Sequence, residues 1–256
     1  MSINPGQIHG RDAFIANISS RLGRQAPSST PPERPFRGAP DFYKQIERTT
    51  DEKIELFIQN WTALTGKVLV VEEAEAKESI GAWLKEVAAE LGVTHVSRWE
   101  HDGLIGLGLD EVLAEAGVEV VPWKATDAAD GETAADASSN WAKRSELLKR
   151  TERCQLGIIW PDYAVANTST LMLQCSPQRG RSVSLLTDIL FAVFRADQLV
   201  TRMGEGFSSI TQGKSDGSHY ASSLNLITGP SRSADIENDL TIGIHGPGKV
   251  YAVIIK

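Results

Sequence analysis

The feature that most constrains the fold is a regular alternation of helix and strand patterns between residues 51 and 123. Amphipathic segments with a helical repeat of apolar residues are followed by short apolar runs that are typical of buried strands. Two of the helical segments end at a glycine directly before a strand, as compact α/β layers require. The predicted elements are helices at 51–66, 74–92 and 109–117 and strands at 67–73, 93–99 and 118–123. This order predicts a parallel or mixed sheet with helices on its faces.

The C-terminal half is richer in strand patterns. Turns rather than full helices separate most of its apolar runs, so several sheet connections are expected to be antiparallel or hairpin-like. The stretch 124–140 is polar and predicts a surface loop that leads into a helix at 141–154. The other predicted elements are strands at 156–160, 169–175, 181–187, 189–194, 223–229 and 249–256 and a helix at 196–206.

The N-terminal region predicts a separate element. Phe14, Ile15, Ile18 and Leu22 fall on one face of a short amphipathic helix, and five prolines in residues 25–40 exclude regular structure. We therefore expect three parts: an N-terminal helix in 1–24, a Pro-rich linker in 25–40, and an α/β domain in 41–256. The apolar stripe of the tethered helix would cover either its own domain or another subunit.

Composition narrows the class of function. The formal net charge of −7 and the lack of a long Lys/Arg run argue against a nucleic-acid binder. No apolar run reaches the roughly 18 residues that span a bilayer, and no secretory signal pattern is present, so the cytoplasm is expected. The two cysteines, Cys154 and Cys175, are too few to hold an iron–sulfur cluster, and scattered histidines predict no metal site.

The stretch from Gly229 to Pro247 is the first concentration of polar groups. Gly229 and Pro230 predict a sharp turn after a strand, and residues 231–237 predict a short helix whose first amides lack partners. With Ser231, Arg232 and Ser233 at its start, this helix would suit a phosphate or carboxylate at the carboxyl end of a strand. Alternatively the serines only cap the helix and Asp235 only complements its dipole.

His245 lies in the same stretch between glycines, where backbone comes close to a ligand or to another loop. It is either a hydrogen-bonded structural residue or a functional one.

The second concentration of polar groups lies in residues 161–182. Asp162, Thr168 and Ser169 lie between two predicted strands, and Arg179 and Arg181 flank Gly180 at the next turn. Hydroxyl donors and an arginine pair could together hold one carboxylate or phosphate. The alternative is a Ser/Thr turn with a surface arginine.

Together these stretches resemble a known family. "GPSRSADIE", "GIHGPGKVYAVII", "PDYAVANTSTLML" and "GRSVSLL" are similar to the LUD-domain proteins, specifically the lactate-utilization protein C group. The resemblance implies a Rossmann-like α/β fold with a mixed sheet flanked by helices, similar to the sugar-phosphate isomerase and CoA-transferase superfamily. It also implies a part in oxidising L-lactate to pyruvate with partner proteins that carry iron–sulfur clusters. The family often has Thr-Gly-Thr where this chain has Thr168-Ser169-Thr170, and a Pro and a nearby His where this chain has Thr187-Asp188-Ile189.

We expect a small anionic ligand or cofactor, of unknown identity, at residues contributed by both polar stretches. The candidate ligand-binding residues are Thr168, Ser169, Arg181, Ser231, Arg232, Ser233, Asp235 and His245. The candidate catalytic residues are Asp235, His245 and Asp162. The leading hypothesis is an accessory subunit of an iron–sulfur-dependent lactate-oxidising system. The alternatives are a stand-alone isomerase or transferase acting on a phosphosugar or acyl-CoA, and a non-catalytic ligand sensor.

Overall fold

The computed structural model describes residues 9–28, 30, 47–124, 147–212, 220–234 and 239–256. The chain divides into two compact units, Met1–Glu47 and Arg48–Lys256. In the first unit, α1 (Arg11–Arg21) forms where the apolar pattern predicts a helix, and Phe14, Ile18 and Leu22 are exposed. Most of the Pro-rich stretch lies outside the described residues, so the three-part division of the chain stays a prediction.

The second unit contains a regular α/β framework followed by further strands. Its helices are α2 (Thr50–Ala63), α3 (Ala76–Leu91), α4 (Asp102–Gly106), α5 (Leu109–Glu115), α6 (Arg181–Leu185) and α7 (Met203–Thr211), and residues 147–152 are also helical. Its strands are β1 (Lys67–Val71), β2 (His95–Trp99), β3 (Glu119–Trp123), β4 (Leu156–Ile159), β5 (Tyr163–Val165), β6 (Thr170–Gln174), β7 (Ile189–Arg195), β8 (Leu199–Val200), β9 (Leu224–Thr228), β10 (Arg232–Ala234), β11 (Leu240–Ile242) and β12 (Lys249–Ile255).

A six-stranded parallel sheet forms the core, in the order β1-β12-β7-β4-β2-β3. The central strands β7 and β12 are near-continuous apolar runs and are buried along most of their length, as parallel strands covered on both faces require. The edge strand β3 carries Pro122, which an edge position tolerates because only one side of the strand needs hydrogen bonds. This sheet confirms the predicted α/β fold with helices around a parallel core.

Helices cover both faces of this sheet. Phe191 and Phe194 of β7 are an odd number of residues apart, so their side chains point to opposite faces. Phe194 packs edge-on against Phe57 of α2, with ring centroids 5.4 Å apart. Phe191 packs against Trp83 of α3 at 5.3 Å. The helices α2 and α3 therefore lie on opposite sides of the sheet.

The antiparallel pairs predicted for the C-terminal half form separate sheets. Strands β5, β6 and β9 belong to a four-stranded sheet in the order β8-β5-β6-β9, in which β5–β6 and β6–β9 are antiparallel. Lys53 and Asn60 of α2 donate hydrogen bonds to backbone carbonyls beside this sheet, at Leu199 and Ala166 respectively. Strands β10 and β11 form a third, two-stranded sheet.

Three sequence-based predictions of secondary structure are wrong. The strand predicted at 181–187 is instead the helix α6 (Arg181–Leu185) and a turn, and the side chains of Ser184 and Thr187 donate to carbonyls one turn back. Residues 196–206 form a 3-10 turn, the short strand β8 and only the start of α7. Residues 232–234 form β10 and not a helix, because they pair with β11. In 181–187 the apolar run is too short for its period to separate helix from strand.

Gly157 marks a close approach of α6 to the central sheet. A Cβ at this position would overlap the carbonyl oxygen of Val183 in α6 and would come within 2.8 Å of Thr187 Oγ1. Because the obstacle includes backbone, a side chain at residue 157 would displace the whole of α6 from β4.

We expect Gly157→Ala to lower the free energy of unfolding by about 1–3 kcal/mol or more, since it overpacks the contact between β4 and α6. The matched control is Gly204→Ala in α7, where no atom lies within 4 Å of the added Cβ. Alanine should be neutral or stabilising there, because glycine is a poor helix former. Urea unfolding of both variants tests this, and equal midpoints for the two would contradict the close packing.

The two cysteines have different environments. Cys154 is 3% exposed, and burial raises the pKa of its thiol to about 11. Cys175 is only partly buried, and its sulfur accepts a hydrogen bond from Asn225 Nδ2 at 3.3 Å.

Alkylation of the native protein at pH 8 should therefore label Cys175 well before Cys154, because the thiolate is the reactive form and Cys154 is both protonated and covered. Peptide mass mapping after timed iodoacetamide treatment gives the order. In urea both cysteines should react at similar rates. Fast labelling of Cys154 in the native protein would show that its surroundings are more open than described.

Candidate functional site

Part of the sequence-predicted site lies at the amino edge of the central sheet. Asp188 directly precedes β7, and residues 243–248 directly precede β12. Gly248 N donates to the carbonyl oxygen of Asp188 at 2.9 Å, which ties the two approaches together. The last residues of the stretch 229–247 therefore lie at the amino edge of the sheet.

Arg181 and His245 line one cleft of about 710 Å³ at this edge. Ser182, Thr187 and Asp188 contribute further polar groups to the wall, and Leu148, Leu185 and Ile244 contribute apolar ones. Arg181 carries a permanent positive charge and His245 is exposed to solvent. Asp188 is the one carboxylate among the described residues that line the cleft. The structure thus brings together two of the predicted ligand-binding residues.

Ser231 holds the backbone of the His245 loop. Its N–H donates to the carbonyl oxygen of Pro247 at 2.8 Å, and its carbonyl oxygen accepts from Gly243 N at 3.0 Å. Its hydroxyl oxygen accepts from His245 N at 3.3 Å. Ser231 therefore shapes one wall of the cleft through backbone contacts instead of starting a helix.

Arg232 and Ser233 belong to β10 and have partners outside the cleft. Arg232 Nη2 donates to the carbonyl oxygen of Leu64 at 2.8 Å, just after the end of α2. Ser233 pairs with Thr241 in the β10–β11 ladder. Asp235, predicted as both a ligand-binding and a catalytic residue, lies outside the described residues.

Thr168 and Ser169 lie at the turn between β5 and β6. A chain of hydroxyl contacts runs from Thr168 through Thr170 to Thr228, with oxygen–oxygen distances of 2.8 and 2.7 Å. Asn60 Nδ2 holds this turn by donating to the carbonyl oxygen of Asn167 at 3.0 Å. Ser169 is buried and has a φ of 45°, a left-handed conformation that favours glycine.

The turn at Thr168 and the strand β10 approach the same end of α2. Asn60 contacts the first and the carbonyl of Leu64 contacts the second, one turn further along the helix. Neither Thr168 nor Ser169 lines the cleft that contains Arg181 and His245. The Thr168 turn and β10 are therefore neighbours at one end of the domain, while the cleft itself is built mainly from 181–188 and 243–246.

Asp162 lies at the opposite, carboxyl edge of the sheet, directly after β4. It lines a second cleft of about 260 Å³ together with His101, Trp160 and Arg179. Arg179 Nη1 donates to Asp162 Oδ1 at 2.9 Å, and Gln174 N donates to Asp162 Oδ2 at 2.7 Å. Arg179 and Arg181 therefore line different clefts, and the prediction that they could hold one anion together is wrong.

His101 is a site residue that the sequence analysis missed. It stacks on Trp160 with ring centroids 5.0 Å apart, and its Nδ1 accepts from Gly103 N at 3.1 Å. Burial, and next the positive charge of Arg179, lower the pKa of the imidazole below its usual value. Its place in the sequence is the one available signal, because His101 comes shortly after the end of β2, just as Asp162 comes shortly after the end of β4.

The described residues contain neither a cluster of metal-ligating side chains nor a membrane-spanning helix. Within the described parts of the chain, no group of three or more His, Cys, Asp or Glu side chains is placed to hold a metal ion. Within the same parts, no helix combines the length and apolar character that crossing a membrane requires.

Comparisons with known proteins identify relatives over almost the whole chain. Proteins named lactate utilization protein C from Bacillus licheniformis and Bacillus subtilis are each 29% identical, with 98% of both chains covered. The protein of that name from Halalkalibacterium halodurans is 27% identical over 97% of this chain and 99% of its own.

A solved structure supports the fold. The crystal structure of a DUF162 family protein from Deinococcus radiodurans aligns with a TM-score of 0.53 and 18% identity, covering 82% of this chain and 100% of that one. At this identity the likeness concerns the fold alone. The LUD domain family itself matches residues 54–255, from the middle of α2 to the end of β12. The chain therefore belongs to the LUD domain family.

Proposed function

We propose that this protein is a component of a lactate-utilization system and that it binds a small anionic ligand in the cleft between Arg181 and His245. The relatives named lactate utilization protein C support the first part, because they match this chain from end to end at 25–29% identity. The match extends over both described units, so the whole chain and not only the α/β domain corresponds to those relatives.

The observation that carries the ligand proposal is the meeting of Arg181 and His245 in one cleft, although 243–246 and 181–188 are separate segments. A guanidinium and an imidazole are both hydrogen-bond donors to carboxylate and phosphate oxygens. Ser182 and Thr187 add hydroxyl groups to the same wall. Asp188 adds one negative charge, which favours a small anion over a highly charged one such as a nucleotide.

The chemistry of lactate oxidation supports a role alongside other proteins. Conversion of a 2-hydroxy acid to a 2-oxo acid releases two electrons and two protons, so an electron carrier must accept them. A cubane or two-iron cluster is usually held by four cysteine thiolates, whereas this chain has two cysteines in total. We propose that iron–sulfur partner proteins carry the electrons, and that this chain acts as an accessory subunit.

We expect Arg181→Ala to impair growth on L-lactate as sole carbon source when it replaces the wild-type protein. Loss of one charged hydrogen bond of about 1.5–3 kcal/mol should weaken binding roughly 10- to 100-fold. The affinity is measured by calorimetric titration of the purified wild-type and variant chains with L-lactate, pyruvate and phosphate. Growth on a sugar should be unaffected.

The matched control is Arg153→Ala, an exposed arginine outside the residues that line the cleft. It should support growth and binding as the wild type does. Normal growth on L-lactate after deletion of the whole gene would overturn the role in lactate utilization. Normal growth with Arg181→Ala, together with unchanged binding, would leave that role standing but would overturn the cleft as the ligand site.

A further inference from the structure

The carboxyl-edge cleft is a second candidate site that the proposed function does not use. It has a volume of about 260 Å³ and lies at the carboxyl edge of the central sheet, whereas residues 187–188 and 243–246 of the first cleft lie at the amino edge. Polar and aromatic side chains dominate its wall. They include His101, Trp160, Asp162, Gln174, Arg179 and Gln198.

The position of this cleft follows from the topology of the sheet. The chain leaves β2 toward β3 on one side and leaves β4 toward β7 on the other side. The carboxyl ends of these two adjacent strands therefore diverge, and this is the place where open parallel sheets form ligand crevices. His101 follows β2 by two residues, and Trp160 and Asp162 follow β4.

The strongest acceptors in the wall are already occupied. Both oxygens of Asp162 accept hydrogen bonds, Oδ2 from Gln174 N and Oδ1 from Arg179 Nη1 and from Gln174 Nε2 at 3.3 Å. Gln198 Oε1 accepts from Arg195 N at 2.8 Å. Gln198 Nε2 in turn donates to the carbonyl oxygens of Pro161 and Asp162. These hydrogen bonds hold the wall together and commit the Asp162 carboxylate to partners within the protein.

Two donors in the same wall remain available. Arg179 uses Nη1 on Asp162 and Nε on Ser176 Oγ at 3.4 Å, and no atom among the described residues accepts from its Nη2. His101 accepts at Nδ1 from Gly103 N, so the neutral ring carries its proton on Nε2. Stacking on Trp160 fixes the plane of that ring.

The surroundings of His101 favour its neutral form. Burial lowers the pKa of the imidazole, and the positive charge of Arg179 acts in the same direction. Asp102 and Asp162 oppose this shift but do not cancel it. At neutral pH the ring therefore presents an N–H to the cleft without adding a second full charge beside Arg179.

We propose that this cleft binds a small oxyanion, either a carboxylate or a phosphate group, through Arg179 Nη2 and His101 Nε2. A free guanidinium edge and an imidazole N–H in one cleft favour a ligand group that accepts hydrogen bonds. The half-buried setting of Arg179 strengthens these bonds relative to the open surface. The small volume restricts the ligand to a few heavy atoms around the charged group.

The test is a titration of the full chain with three probes: inorganic phosphate, acetate and pyruvate. The imidazole signals of His101 are followed by NMR and are assigned as those that disappear in His101→Asn. Asparagine keeps an acceptor for Gly103 N, since it is a good helix cap. We expect saturable shifts of the His101 signals with at least one probe. Saturation by phosphate alone, or by the two carboxylates, identifies which oxyanion the cleft prefers.

The key variant is Arg179→Lys. Lysine keeps a positive charge beside Asp162, so the fold should persist. Its single ammonium group cannot bond to Asp162 and also offer a separate N–H donor to the ligand, as the two ends of the guanidinium can. We expect roughly tenfold weaker binding or more by calorimetry. The matched control Arg153→Lys should bind as the wild type does. Absence of saturable His101 shifts with every probe, or binding to Arg179→Lys at wild-type affinity, would overturn the proposal.

Discussion

The insertion of the last strand, β12, between β1 and β7 is the constraint on which the rest of the structure depends. Its seven residues pair with β7 along their whole length and with β1 over five positions. Without β12, the first strand of the domain would have no parallel partner in the sheet. Because β12 is parallel to its neighbours, the chain must enter it from the amino edge, whatever path it has taken before.

This entry direction places the polar stretch 229–247. The strand β9 ends beside Thr170 in the second sheet, and the chain must then travel to the start of β12. Strands β10 and β11 and the loop at His245 lie along that path. Ser231 holds this loop through hydrogen bonds to Gly243, His245 and Pro247. The sequence analysis predicted a helix at the start of this stretch because the pairing of β10 with β11 has no local sequence signal.

The framework of the domain was predictable because its elements are long and strongly periodic. The helices α2 and α3 and the strands β1, β2, β3, β7 and β12 all form where the sequence places them. Elements with an ambiguous local pattern were not predictable. In α6, Val183 and Leu185 read as alternating strand residues, and the close contact of the segment with Gly157 involves a residue more than twenty positions away.

The candidate sites were only partly predictable for a related reason. Arg181 and His245 were identified as polar residues beside turns, and the structure brings them to one cleft. His101 was missed because nothing local distinguishes a histidine that follows a strand from one in any other loop. Its significance comes from partners that the fold supplies, namely the ring of Trp160 and the guanidinium of Arg179.

The separation of Arg179 from Arg181 shows how packing assigns neighbouring residues to different tasks. Gly180 lies between them, and a Cβ there would overlap the indole ring of Trp123. Its carbonyl oxygen also accepts from Trp99 Nε1 at 2.8 Å, which anchors the turn to the ends of β2 and β3. The backbone is thereby held against two tryptophans at the carboxyl edge. Arg179 precedes this anchor and turns to Asp162, whereas Arg181 follows it and begins the helix that leads to the amino edge. The contacts of Gly180 with the two indole rings thus leave Arg179 in one cleft and Arg181 in the other.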